Sequence, residues 1–109
     1  MVKVALWVQL EAKPGKEQEL ANFLNSALSL VEQEPATVMW FALRVGATTF
    51  SIFDAFLNEE GRQSHLSGAV ADALSKATDL FATPPQIMKL DVLAAMLPIT
   101  KSKMTTTSI

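Results

Sequence analysis

The sequence predicts an α+β domain of order βαββαβ, a four-stranded antiparallel sheet with helices on one face. Three observations carry this. Val2, Val4, Leu6, Val8 and Leu10 alternate strictly, as in a strand half-buried on one side. Two stretches with apolar residues at helical spacing separate strand-like runs. The two middle strands follow one another across the short link Gly46-Ala47-Thr48, typical of a hairpin.

The chain has 109 residues, enough for one domain, placed at 1–97, followed by a polar, Thr-rich tail at 98–109. Half of its residues are apolar and the mean hydropathy is +0.26, high for a small domain. No apolar run reaches the roughly 18 residues that a membrane span requires. Nine basic and eleven acidic residues leave a net charge of −2, which argues against a nucleic-acid partner. Cysteine is absent, so there is no disulfide framework and no thiolate ligand or nucleophile. The alternating N-terminus lacks the contiguous apolar core of a signal peptide, and the expected location is the cytoplasm.

The first strand carries Lys3, Ala5, Trp7, Gln9 and Glu11 on its second face and is broken by Pro14-Gly15. Lys16 to Gln33 follows as a helix, with Leu20, Phe23, Leu24, Ala27, Leu28 and Val31 on one side. Glu17 and Glu19 suit its positive N-terminal end. Pro35 ends it by disfavouring the α region at Glu34.

Thr37 to Val45, the second strand, is apolar on both faces: Met39, Phe41, Leu43 and Val45 oppose Val38, Trp40 and Ala42. The third strand, Thr49 to Leu57, sets Phe53, Ala55 and Leu57 against Phe50, Ile52 and Phe56, with Asp54 interrupting the second set. Asn58 caps a helix carrying Glu59 and Glu60 in its first turn and His65, the only histidine, further on. Gly68 divides this helix from a second piece spanning Ala69 to Phe81, which Pro84-Pro85 stops. Gln86 to Met96 reads as the last strand. Helices can cover only one side of such a sheet. The second face, apolar in strands two and three and carrying Trp7 in strand one, predicts a homodimer packed sheet against sheet.

In this order the residues resemble the antibiotic biosynthesis monooxygenase-like family of the dimeric α+β barrel superfamily, over about Val4 to Leu97. The landmarks are Ala12-Lys13-Pro14-Gly15-Lys16, Glu34-Pro35, Phe53-Asp54-Ala55-Phe56, Glu59-Glu60-Gly61 and His65-Leu66. The chain departs from the family pattern at Ala36, where Gly is usual. Asp54-Ala55-Phe56 replaces Glu-x-Trp, and Gly61 and Arg62 stand where Ala and an apolar residue are common.

The resemblance implies a ferredoxin-like fold and a ligand cavity between sheet and helices. It also implies a cofactor-independent monooxygenase that oxidises a quinol or polyphenol with O2. The substrate supplies the electrons that a cofactor otherwise would. A phenol titrates near 10 and a free histidine near 6.5, so the pocket must stabilise a phenolate. The expected catalytic pair is His65 as base and Arg62 as its neighbour on the helix face. Arg62 would disfavour the imidazolium, keep His65 neutral and steady an oxyanion. Trp7, Trp40, Asp54 and Phe56 are the expected substrate-binding residues.

Each has a plainer alternative. His65 can pack at the helix end against a carbonyl, and the aromatics can belong to the core or an interface. A buried Asp54 calls for an ion-pair partner, Arg44 or Arg62. The function alternative is a non-catalytic dimeric module that binds a small molecule or only assembles. No metal is expected from one histidine and no cysteine. Haem degradation is disfavoured, because Leu66 to Phe81 holds no histidine. Thr49 to Phe53 lacks the basic and glycine residues of an RNA-recognition strand.

Overall fold

The alternation of the first strand decides which way the sheet faces, and everything else packs accordingly. In the computed structural model, which describes residues 1–98, β1 (Val4–Glu11) turns Leu6, Val8 and Leu10 toward the helices. α1 (Glu17–Val31) follows, then β2 (Thr37–Arg44), β3 (Thr49–Phe56), α2 (Glu59–Leu66) and α3 (Ala69–Lys76). A 3-10 turn at Thr78–Leu80 leads to β4 (Gln86–Asp91). The sheet order is β2-β3-β1-β4, and all three pairings are antiparallel. This is the ferredoxin-like arrangement expected from the element order, with the helices on one face.

Gly15 adopts φ +84°, a left-handed turn that glycine enters at no steric cost, and swings the chain from β1 into α1. α1 lays Leu20, Leu24, Ala27 and Val31 on the sheet. With Val8, Leu10, Phe50, Ile52, Leu80 and Phe81, its Leu20 and Leu24 make the main core. Asn58 caps α2 as expected, its Oδ1 accepting a hydrogen bond from the Gly61 amide at 2.9 Å.

Two boundaries differ from expectation by more than two residues. The helix expected over Ala69 to Phe81 stops at Lys76, and a 3-10 turn takes over. Phe81 is thereby free of the helix; it forms a bridge with Ala12 and packs into the core. The last strand, expected to reach Met96, ends at Asp91. Asp91 pairs with Val4, where β1 begins, and beyond that pair the Val92 amide donates to the Lys3 carbonyl at 2.9 Å. Val92, Ala95 and Leu97 instead pack over Val2, Ala5 and Ala55, on the helix-free side of the sheet. Apart from Pro98, the polar tail lies outside the described residues.

The rest of that helix-free face is apolar and open. The pairings align Phe41, Phe53, Trp7 and Met88 in one row across all four strands. Phe41 and Met88 at its ends are 47% and 51% exposed. Among the described residues no helix is long and apolar enough to cross a membrane.

Candidate functional site

α2 is a polar helix whose buried face consists of Gly61, Arg62 and His65. Two ionisable side chains turned inward need partners, because an unpaired buried charge is costly. Their partners define the site.

The His65 ring lies between two carboxylates. Its Nδ1 is 2.6 Å from Glu34 Oε1, and its Nε2 is 2.8 Å from Asp54 Oδ2. The Asp54 contact is an ion pair that falls short of a directed hydrogen bond, and Oδ1 of the same residue has no protein donor. Asp54 is wholly buried at the centre of β3, between Leu6 of β1 and Trp40 of β2. Glu34 comes from the connection between α1 and β2, and its Oε1 also accepts the Thr37 hydroxyl at 2.8 Å. Thr37 Oγ1 stands 3.4 Å from His65 Nδ1. The Phe56 ring packs against the imidazole with centroids 5.4 Å apart.

Gly68 makes room for this arrangement. A Cβ there would lie 3.0 Å from Glu34 Oε2 and 3.2 Å from the Ser64 carbonyl. The break between α2 and α3 thus doubles as the space that admits the Glu34 carboxylate.

The electrostatics of His65 follow from two opposed effects. Burial disfavours the charged ring, but the contacts with Asp54 and Glu34 outweigh it and raise the pKa above the ordinary histidine value. The expectation that Arg62 keeps His65 neutral is therefore corrected. Arg62 is engaged elsewhere: Nε and Nη2 donate to Glu59, and Nη1 donates to the carbonyls of Ala5 and Leu90, each at 3.2 Å. It fastens α2 to β1 and β4. The same ion pair depresses the Glu59 carboxyl to about 2, chiefly through the hydrogen bond from Arg62.

The partner of Asp54 is likewise His65 rather than Arg44 or Arg62. Arg44 lies over the Phe50 ring, 4.6 Å from its centroid.

Beside His65 a cavity of about 270 Å³ opens between the sheet and α3. Its walls are Leu6 and Val8 of β1, Leu66, Val70, Ala71 and Leu74 of the helices, and Pro85 and Ile87 before and within β4. His65 is the only ionisable group in this lining; Ser75 and Thr78 add hydroxyls.

The structure thus brings together His65, Asp54 and Phe56 of the residues singled out in the sequence. Trp40 shares the helix-facing side of β2 with them and packs against the core. Trp7 stands on the opposite face, in the open row with Phe53, and its indole N–H reaches Gln9 Oε1 at 3.4 Å. Glu34 and Thr37 were missed as site residues. Glu34-Pro35 is a landmark of the resemblance, but before Pro35 Glu34 reads locally as a helix end. Among the described residues, no three His, Cys, Asp or Glu side chains are grouped to hold a metal ion.

No protein-family profile and no curated protein matches the chain. Solved structures do. A protein of unknown function from Nitrosomonas europaea is 55% identical over 90% of this chain and 96% of its own, with a TM-score of 0.87. A "putative antibiotic biosynthesis monooxygenase" from the same organism is 15% identical over 87% of this chain and 94% of its own, at 0.76. Another so described, from Caulobacter crescentus, is 15% identical over 85% and 92%, at 0.73. The first likeness is one of family; the other two are of fold.

Proposed function

We propose, for a chain that belongs to the family of the Nitrosomonas europaea protein of unknown function and has the antibiotic biosynthesis monooxygenase-like fold, that it is a cofactor-independent monooxygenase of small hydroxyaromatics. The observation that carries this is the cavity: apolar walls, one ionisable side chain, and a volume of about 270 Å³. Pockets for drug-sized ligands run from about 300 to 1,000 Å³. This one suits a molecule of one or two rings.

In such a reaction a phenol with a free ring C–H becomes a quinone. One atom of O2 enters the ring as the new carbonyl, and the other leaves as water. The substrate supplies all four electrons, so no further reductant enters the balance. What the protein must do is hold the ring dry and favour its phenolate. The apolar walls are suited to the first task, and His65, the only ionisable group in the lining, is the side chain placed to act on the second.

A specific observation favours a second reading, a non-catalytic module that binds a small apolar ligand. Both ring nitrogens of His65 already face carboxylates, which leaves no lone pair directed at a ligand. Oxygen uptake with a panel of hydroquinones and naphthols, with quinone identified by mass, separates the two. Turnover with one oxygen atom incorporated supports the monooxygenase; ligand binding without oxygen consumption supports the module.

In either reading the chain acts as a homodimer packed through the row of Phe41, Phe53, Trp7 and Met88. This row is apolar, spans the sheet and is left uncovered by the helices. Burying it in a second copy removes an exposed patch of a kind monomers rarely keep.

A further inference from the structure

We propose that Glu34 is a positioning residue which, together with Asp54, keeps both nitrogens of His65 protonated, so that the cavity wall presents a fixed imidazolium rather than a base. A neutral imidazole carries one N–H and one lone pair. Here Nδ1 faces Glu34 Oε1 at 2.6 Å and Nε2 faces Asp54 Oδ2 at 2.8 Å. Whichever nitrogen gave up its proton would set a lone pair against a carboxylate oxygen at these distances. With both carboxyls ionised, only the cation turns a proton toward each of them.

The surroundings reinforce this. The hydroxyl proton of Thr37 is committed to Glu34 Oε1, which orients that carboxylate toward the ring. Gly68 leaves the space in which Glu34 sits. From β1 the cavity wall beside His65 is Leu6 and Val8, neither titratable. On its own helix, Arg62 is paired with Glu59. From α3, Asp72 and Lys76 pair with each other at the surface. The charged groups facing the ring are thus two carboxylates and no cation.

The inference rests on the monooxygenase reading for its consequence and deepens it. An imidazolium with no free lone pair takes no proton from a phenol. The substrate class narrows to hydroxyaromatics acidic enough to lose that proton to water.

The test is a pH titration of the His65 ring by NMR on the intact chain, unambiguous because the chain has one histidine. The midpoint is expected above 6.5. Glu34→Gln should lower it by about one unit or more, the effect of removing an opposite charge at this distance. Thr37→Val should lower it less, and Asp54→Asn should act like Glu34→Gln. If the buried Asp54→Asn variant fails to fold, Glu34→Gln, at a partly exposed residue, still decides. A wild-type midpoint at or below 6.5, or a midpoint unmoved by Glu34→Gln, overturns the proposal. The titration needs no substrate. A chain that consumes no oxygen can therefore pass it, and an active oxygenase can fail it.

Discussion

His65 Nε2 and Asp54 Oδ2 meet at 2.8 Å between α2 and the centre of β3, and Asp54 has no exposed surface. The pair joins the helix that walls the cavity to the middle of the sheet. Its strength depends on the charge of His65, and so on pH.

The direction follows from linkage. The folded-state pKa of His65 is raised above its unfolded value, so the stability it contributes is fully present below about 6.5. That contribution is lost as pH rises through the folded value. Urea midpoints measured from pH 6 to pH 9 should fall on the alkaline side. In His65→Gln this decline should flatten. An unchanged slope in the variant would assign the decline to another group.

Arg62 holds α2 down by hydrogen bonds to two backbone carbonyls, Ala5 and Leu90. Arg62→Met keeps much of the side-chain volume but removes the charged donor from those two carbonyls, which are left with their β1–β4 ladder bonds alone. The expected loss is about 2–3 kcal/mol of unfolding free energy. Chemical denaturation checks it, and a loss under about 0.5 kcal/mol would show that water replaces the guanidinium without cost.

Filling the cavity should separate ligand binding from folding. Ala71 lines it from α3, and Ala71→Phe places a ring in the space a ligand would occupy. Binding of a naphthol, followed by calorimetry, should weaken about tenfold or more, a cost of about 1.4 kcal/mol. Binding of undiminished strength would move the site away from this cavity.

The homodimer has its own test. Phe41 ends the open row on an edge strand and is about half exposed, so Phe41→Glu should not disturb the core of the subunit. Sedimentation of the wild type should give about twice 11.8 kDa, and the variant should give the single-chain mass. A wild type that sediments as one chain at micromolar concentration would sink the dimer.

Asn58 offers a purely local check. Asn58→Ala removes the side-chain acceptor of the Gly61 amide and should cost about 1 kcal/mol. The melting temperature reads this directly.

Much of the fold was legible because its signals are local. Period-two alternation in β1, the two-faced apolar β2 and β3, Asn58 as a cap and Gly68 as a break each act within a few residues. The missed boundaries were not local. β4 ends at Asp91, and after one more bond, from the Val92 amide to Lys3, the chain packs Val92, Ala95 and Leu97 over Val2, Ala5 and Ala55. α3 gives way to a 3-10 turn and releases Phe81 to the core beside Ala12.

The candidate site divides the same way. The chain alone shows that His65 is its single neutral-pH titrating side chain, on a helix that follows β3, and that Asp54 is a charge in an apolar strand. It does not show that they meet, nor that Glu34 joins them. Along one helix, Arg62 is the charged neighbour of His65. The tertiary structure turned Arg62 toward Glu59 and two strand carbonyls and closed two carboxylates on the imidazole. Helical and strand periodicity determine which side a residue faces. Which charges meet across that side depends on how separate elements pack, and that packing decided the protonation of His65.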